Sequence, residues 1–327
     1  MNDMINIEIG KNEQDQRLDK FLRKYMENAP LSFIYKSIRK DVKVNGKRAK
    51  EDTMLRLGDT VTLYIKEEDL AAFQKKRKLS HARRQFQIAC EDENIIAVEK
   101  PYGLLTHGDK SEKKNHLANQ VIDYLIEKGE YNPRLEKTFA PAPVNRLDRN
   151  TTGLVLFGKN AAALRELNRL IREKDKIRKF YLTIVAGTVR EELHLVDHMV
   201  KDSDKNRITL TPEGGEGRVM ETMARPVETR GGYTLMEVEI VTGRTHQIRA
   251  HMAKAGHPII GDAKYGDPRV NRQMRQRFGL NAQLLHAYCL RFSVSGGPLG
   301  YLDGREIRAE LPDDFERIKR AIFEHDE

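Results

Sequence analysis

Residues 143–158 read Pro143-Val-Asn-Arg-Leu-Asp-Arg-Asn-Thr-Thr-Gly-Leu-Val-Leu-Phe-Gly158 and set a polar loop directly against an apolar run. Asp148 lies between Arg146 and Arg149. The run Asn150, Thr151, Thr152 and Gly153 is turn-forming and ends in a residue able to take φ > 0. Leu154-Val-Leu-Phe157 then has the length of a buried strand. A carboxylate therefore sits on a loop that feeds straight into a core. A plain Asp–Arg turn salt bridge would account for such a pattern in many chains. Two arginines, several turn formers and a buried strand together favour a loop held in one shape, which is where a reactive carboxylate is placed.

The 327 residues are enough for two domains and a sizeable core. Lys plus Arg (58) exceed Asp plus Glu (49), a net charge of +9. That excess favours a polyanionic partner, although a membrane surface or solubility alone would also fit. The first residues carry neither a basic n-region nor an apolar h-region. No apolar run reaches the roughly 18 residues of a membrane span, so a soluble, cytoplasmic protein is expected. Cys90 and Cys289 lie far apart with no CxxC, which excludes a disulfide framework and gives no support to a zinc ribbon.

Upstream of the central loop, residues 16–29 place Leu18, Phe21, Leu22 and Tyr25 on one helical stripe, stopped by Pro30. Ser32 is placed to cap a second short helix with Ile34 and Ile38 inward and Lys36, Arg39 and Lys40 on its other face. Val42-Lys-Val44 alternates, Asn45-Gly46 is a strong turn signal, and Val61–Ile65 closes the unit. Between residues 11 and 66 there are 14 Lys/Arg against 8 Asp/Glu, crowded into 36–50. The segments Arg17-Leu-Asp-Lys-Phe-Leu, Ile38-Arg-Lys-Asp-Val-Lys-Val-Asn-Gly-Lys47 and Leu57-Gly-Asp59 resemble an S4 domain, a small RNA-binding fold. The resemblance implies that Lys36, Arg39, Lys40, Lys43, Asn45 and Lys47 meet structured RNA by shape and phosphate contacts.

Residues 66–86 show no secondary-structure period, and six cations fall within 75–84, reading as a basic linker. This places the small domain at 1–66, the linker at 67–86 and the larger domain at 87–327. In the larger domain, strands are expected at Asn94–Val98, Phe180–Val185, Leu235–Val241 and His286–Phe292, besides the one after the central loop. Leu117, Val121 and Leu125 mark a helix ending at Gly129. Asn160 and Thr245 are placed to cap two more helices. Glu213–Gly217 is a glycine-rich hairpin region without the Lys-Ser/Thr of a P-loop. Strands and helices alternate without a strict βαβ rhythm, so the fold class is α+β, with a mixed, mainly antiparallel sheet.

Other chemistries fare poorly. Arg-Leu-Asp-Arg-Asn faintly echoes a kinase catalytic loop, but no glycine-rich phosphate loop precedes it. His246 and His251 are five apart rather than four, so a zinc site is not expected. There is no Gly-x-Ser-x-Gly elbow, and no second acid stands beside Asp148 as a glycosidase needs. A second informative stretch is Val241-Thr-Gly-Arg-Thr-His-Gln-Ile-Arg-Ala-His-Met252. There Arg244 sits at the positive end of a helix dipole, a place suited to an anion, so a carboxylate or phosphate is expected nearby.

The central loop and this stretch resemble the RluA-type pseudouridine synthases. The supporting segments, in order, are Val98-Glu-Lys-Pro-Tyr-Gly103 with His107, Arg146-Leu-Asp148 with Thr151-Thr-Gly153, and Lys179-Phe-Tyr181. Then come Thr242-Gly-Arg-Thr-His-Gln-Ile-Arg249, Gly256-His-Pro-Ile-Ile-Gly-Asp262 with Tyr265-Gly266, and Leu285-His-Ala287. The resemblance implies that Asp148 acts on the ribose of a target uridine and that Tyr181 stacks on the uracil. Arg249 would pair with Asp148 and keep it ionised, and Arg146 would fill the place of the extruded nucleotide. Arg149 and Arg244 are further RNA-contact candidates. The chain departs from the family in Asn145, where His is usual, and in Thr152, where Ser is commoner. The chemistry needs a carboxylate beside the sugar, as nucleophile at C1′ or base at C2′, and a flipped base. No cofactor or metal is expected. The implied substrate is uridine in large-subunit (23S) ribosomal RNA or a ribosomal precursor particle, and the protein is expected to be monomeric. The alternatives are transfer RNA as substrate, or a non-catalytic rRNA-binding assembly factor.

Overall fold

The computed structural model describes residues 3–74, 82–202, 207–211 and 217–324. The cations at 75–78, His81 and most of the glycine-rich stretch 213–217 lie outside the described residues. The N-terminal unit runs β1 (Asp3–Glu8), β2 (Gln16–Arg17), α1 (Leu18–Tyr25), α2 (Leu31–Lys40), β3 (Val42–Val44), β4 (Lys47–Arg48), β5 (Met54–Leu55), β6 (Thr60–Ile65) and α3 (Glu67–Phe73). Its core is Leu18, Phe21 and Leu22 of α1 against Ile34 and Ile38 of α2 and the strands β3 and β6. The stripe expected over 16–29 is therefore real but short. α1 ends at Tyr25, and the chain turns so that the Asn28 N–H donates to Phe73 O at 3.0 Å. Ser32 caps nothing: α2 begins at Leu31, with Pro30 in the cap position and no side-chain cap. The Asn45-Gly46 turn joins β3 to β4 with both residues at positive φ.

Residues 67–73, read from the sequence as aperiodic linker, form α3. Seven residues make fewer than two turns, too few for a periodicity to show. What orders them is tertiary. Leu70 is buried in the N-terminal core, and the Phe73 ring lies 4.7 Å from that of Phe33.

The larger unit runs β7 (Gln87–Glu91), β8 (Ile95–Lys100), α4 (Leu117–Glu127), β9 (Ala142–Pro143), β10 (Thr152–Gly158), α5 (Ala161–Leu170), β11 (Ile177–Ala186), β12 (Leu193–Asp202), β13 (Arg207–Thr211), β14 (Arg218–Arg230), β15 (Tyr233–Ile240), α6 (Gln247–Lys254), α7 (Pro268–Phe278), β16 (Leu285–Phe292), β17 (Glu306–Arg308) and α8 (Asp313–Phe323). Its strands form one sheet in the order β13-β12-β14-β15-β11-β16-β10-β8-β7, with β17 beside β16 and β9 beside β10. Every pairing is antiparallel except β10 with β16. The expected mixed, mainly antiparallel sheet is thus what the chain forms.

The apolar run of the central stretch is buried on both faces. Val155 and Phe157 belong to the core cluster that also holds the buried residues of α4 and α6, while Leu154 and Leu156 belong to the one that holds Leu167 and Leu170 of α5. A strand covered on both sides has no polar face to alternate with, hence its unbroken hydrophobic sequence. Asn160 caps α5, its Oδ1 accepting from the Ala163 N–H at 2.9 Å.

Candidate active site

The loop between β9 and β10 is fixed from several sides. Asn145 Nδ2 donates to Leu154 O at 3.1 Å and its Oδ1 accepts from the Leu156 N–H at 2.9 Å, so one amide ties the loop's start to the strand at its end. The Leu147 N–H donates to Thr106 Oγ1, and that hydroxyl donates back to Leu147 O, both at 3.1 Å. The Thr151 N–H closes a turn on Asp148 O at 3.1 Å. Below lies Lys100, buried, its ammonium donating to the carbonyls of Pro101 (2.9 Å), Leu104 (2.8 Å) and Arg149 (2.9 Å). Burial lowers the Lys100 pKa to about 7, with the charge of Asp148 pulling the other way. Three carbonyls around one nitrogen match the three N–H donors of the ammonium form.

Gly153 explains how the loop enters the sheet. Its φ is +106°, and a Cβ built on it would lie 2.1 Å from Ala287 O. This is the point at which β10 runs parallel to β16, Gly153 opposite Ala287.

Asp148 stands on this loop facing α6. Its Oδ2 accepts from Arg249 Nη1 at 3.0 Å. Arg249 in turn grips Asp262 through Nε (2.6 Å) and Nη2 (2.9 Å). Asp262 Oδ1 also accepts from the backbone N–H groups of Lys264 and Tyr265. Burial pushes the Asp262 carboxyl up, but Arg249 and those N–H groups outweigh it and hold it below the ordinary carboxylate range. Burial likewise works against the Arg249 charge, which the two carboxylates more than restore. Side-chain exposure separates the roles: Arg249 (7 %) and Asp262 (0 %) are sealed in, whereas Asp148 (23 %) still reaches the cavity.

Tyr181 comes from β11, at the centre of the sheet. The pairing with β16 shifts register between Phe180 and Tyr181, a bulge that aims the ring into the cavity. Burial, and then the nearby Asp148 charge, raise the phenol's pKa above that of free tyrosine. His246 completes the floor. Its Nε2 lies 3.9 Å from Asp148 Oδ2 and its Nδ1 3.0 Å from the Tyr265 hydroxyl. Desolvation lowers the His246 pKa, Asp148 opposes this and Arg249 adds to it. The cavity holds about 880 Å³ and is also lined by His107, Arg146 and Arg244. That volume suits a small-molecule-sized group.

Asp148, Tyr181 and Arg249 are thus brought together, with Arg146 and Arg244 at the rim. Arg244 Nε donates to Val219 O at 3.1 Å, and among the described residues no carboxylate pairs with it. α6 begins at Gln247 rather than at a Thr245 cap. His246 holds the cap position at φ 53°, and Gln247 Oε1 accepts from the Arg244 N–H and the Thr242 hydroxyl. Arg149 turns away from the cavity, towards Asp109 (3.5 Å) and Ser111 (3.4 Å). Lys36, Arg39, Lys40 and Lys47 are exposed on the N-terminal unit, and Lys43 lies over the Tyr64 ring. Asn45 is committed to its own turn: Nδ2 donates to Asp59 and Oδ1 accepts from the Thr60 N–H, both at 2.8 Å. Sequence reasoning gave no role to Lys100, Thr106, His246 or Asp262. The segment containing Asp262 signalled the family, but only the fold shows it gripping Arg249.

A loop carboxylate paired to a buried arginine, beside an aromatic ring in a roomy cavity with cationic walls, defines a site for chemistry on a flat, anionic-backbone substrate. Residues 94–254 match the family model described as RNA pseudouridylate synthase. The chain belongs to this family and is an RNA pseudouridine synthase. It is 32 % identical over 324 residues to the ribosomal large subunit pseudouridine synthase C of Vibrio vulnificus (strain CMCP6), covering 97 % of this chain and 96 % of that one. To the protein of the same name from Escherichia coli (strain K12) it is 34 % identical over 323 residues, 97 % and 95 % covered. The fold is shared with the solved structure of human RNA Pseudouridylate Synthase Domain Containing 4, at 19 % identity and a TM-score of 0.54, covering 74 % of this chain and 93 % of that one.

Proposed function

We propose that this enzyme converts uridines of large-subunit ribosomal RNA to pseudouridine, with Asp148 acting at the ribose. Arg249 orients the carboxylate, Tyr181 lies against the uracil face, and Arg146 occupies the place the flipped nucleotide leaves. The N-terminal unit, S4-like in sequence, docks the RNA through Lys36, Arg39, Lys40, Lys43 and Lys47, and the enzyme works as a cytoplasmic monomer. The observation that carries the reading is the Asp148–Arg249–Asp262 chain, with Tyr181 lining the same cavity as Asp148. It gives the one carboxylate that faces the cavity among the described residues a fixed direction. A base inside a stack cannot reach such a group, so the nucleotide must be extruded into the cavity. The names of the relatives support ribosomal RNA as substrate. The experiment is tritium release from ribosomal RNA carrying 5-tritiated uridine. Asp148→Asn should abolish release while RNA binding stays nearly intact, and turnover retained by this variant would refute the assignment.

A further inference from the structure

A second opening, of about 760 Å³, lies between α1 and a wall formed by residues 138–140 and α5. The reaction proposed above makes no use of it. Five cations line it, Arg17, Lys20, Arg23, Lys24 and Arg165, against two carboxylates, Asp15 and Glu27. Arg17 is engaged by Asp19 at 3.0 Å. Among the described residues, Lys20, Arg23, Lys24 and Arg165 form no ion pair with a carboxylate. Arg165 reaches only Gln14 O, at 3.4 Å, and Lys24 only Gln16 Oε1, at 3.5 Å.

The walls are tied so that these charges stay near one another. Asn12, in the loop before α1, donates to both Glu136 oxygens (2.8 and 2.9 Å) and accepts from the Ala161 N–H at the start of α5 (3.0 Å). Lys20 and Lys24 are one helical turn apart, a like-charge spacing that opposes the helix carrying them. Loss of hydration lowers the Lys24 pKa, the charges of Arg165 and Lys20 push the same way, and Glu13 partly offsets them. Such an arrangement is relieved by an anion. The linings of the cleft and of the reaction cavity also neighbour each other along the chain: Thr138, Phe139 and Ala140 line the first, and Pro143 to Asp148 line the second. An extended chain covers the step from Ala140 to Pro143 in about 10–11 Å.

We propose that this cleft binds the phosphate backbone of the substrate RNA beside the target uridine, so that both units of the protein grip one strand. The inference rests on the rRNA-modifying reading above and adds a binding site to it.

The test uses the full-length chain and a large-subunit ribosomal RNA fragment, with affinity measured across a potassium chloride series. Each lost phosphate contact lowers the slope of log K against log salt by about 0.7–0.9. Lys24→Gln combined with Arg165→Gln should therefore flatten the slope by about 1.5. Lys24→Arg should retain it, and the single-turnover rate at saturating RNA should be unchanged. Arg317→Gln with Lys319→Gln, on α8, removes as much charge elsewhere and should leave the slope alone. A slope unmoved by the cleft variants, or moved equally by the α8 pair, overturns the proposal. Both substituted cleft residues are exposed, and the urea midpoint of the pair verifies its fold. Tritium release by the wild type judges the reaction separately, so either idea can fail without the other.

Discussion

Arg249 serves two carboxylates, and only one of them can meet a substrate. Removing its charge with Arg249→Met strands Asp262 in the interior, which should cost about 3–5 kcal/mol as for a buried pair that loses one partner. The variant also frees Asp148 to turn. The two effects are separable. Replacing both members, Arg249→Met with Asp262→Leu, removes the stranded charge and should recover most of the stability in urea. Tritium release should stay lost in the double variant, because Asp148 still lacks its guide. If release returned along with stability, Arg249 would be a structural residue only. The pH dependence of this pair has a definite sign. Asp262 is held below its ordinary pKa in the folded state. Its contribution is thus fully present above the unfolded value near 3.9 and is lost as pH falls through the lower folded value. The stability difference between wild type and Asp262→Asn, from urea melts, should be flat from about pH 5 to 8 and shrink below about pH 4.

At the scale of elements, the site depends on β10 approaching β16 closely enough to pair parallel to it. Gly153→Ala puts a methyl 2.1 Å from Ala287 O at a φ of +106°. Left-handed strain and the clash together should cost about 2–4 kcal/mol. The Asp148 loop would move with the strand, so tritium release should fall even at temperatures where the variant stays folded. A wild-type urea midpoint and rate would show that the approach is not needed. This constraint was half legible. The turn residues before Leu154 announced a glycine with positive φ, but not the carbonyl that forbids any other residue. The strands β8, β10, β11 and β16 were legible because their apolar stretches are short and dense, and β15 because Leu235–Val241 alternates apolar with polar residues. β14 was not. Its burial alternates through Met220, Thr222 and Ala224, but Val219 and Met223 on the other face are exposed apolar residues that hide the pattern in sequence, and Pro226 and a register shift to Glu228 follow. α7 escaped as well, since only Met274 of its eleven residues is buried and its polar surface resembles a loop. Asp148 stood out from its own loop, while its role and the residues Tyr181 and Arg249 were reached through the family resemblance. Their partners Asp262, His246 and Lys100 come from distant segments that only the fold joins.

At the scale of the whole molecule, the cores decide where the chain can be cut. The N-terminal core and the residues packed on it all lie between Ile5 and Phe73, and the first buried residue of the large unit is Phe86. Residues 1–66 looked like a complete domain in sequence, yet a cut at 66 removes the core that Leu70 and Phe73 cover and leaves both exposed. A cut after residue 74 takes α3 away with its partners. The shorter deletion should therefore give the less soluble protein. The longer one costs the large unit the Asn12 contact at α5, whose own cap, Asn160, remains. Its stability should change little. RNA binding should change much more, and charge magnitude cannot be the reason. Residues 1–74 hold 14 Lys/Arg and 13 Asp/Glu, so the net charge removed is only +1. What is lost is the placement of cations: the α2–β4 face and one wall of the cleft. Deleting 1–74 should thus weaken affinity for ribosomal RNA and flatten its salt dependence, while the single-turnover rate at saturating RNA stays within a few-fold of the intact enzyme. A rate that collapses at saturation with affinity unchanged would mean that the N-terminal unit shapes the catalytic loop instead of holding the RNA.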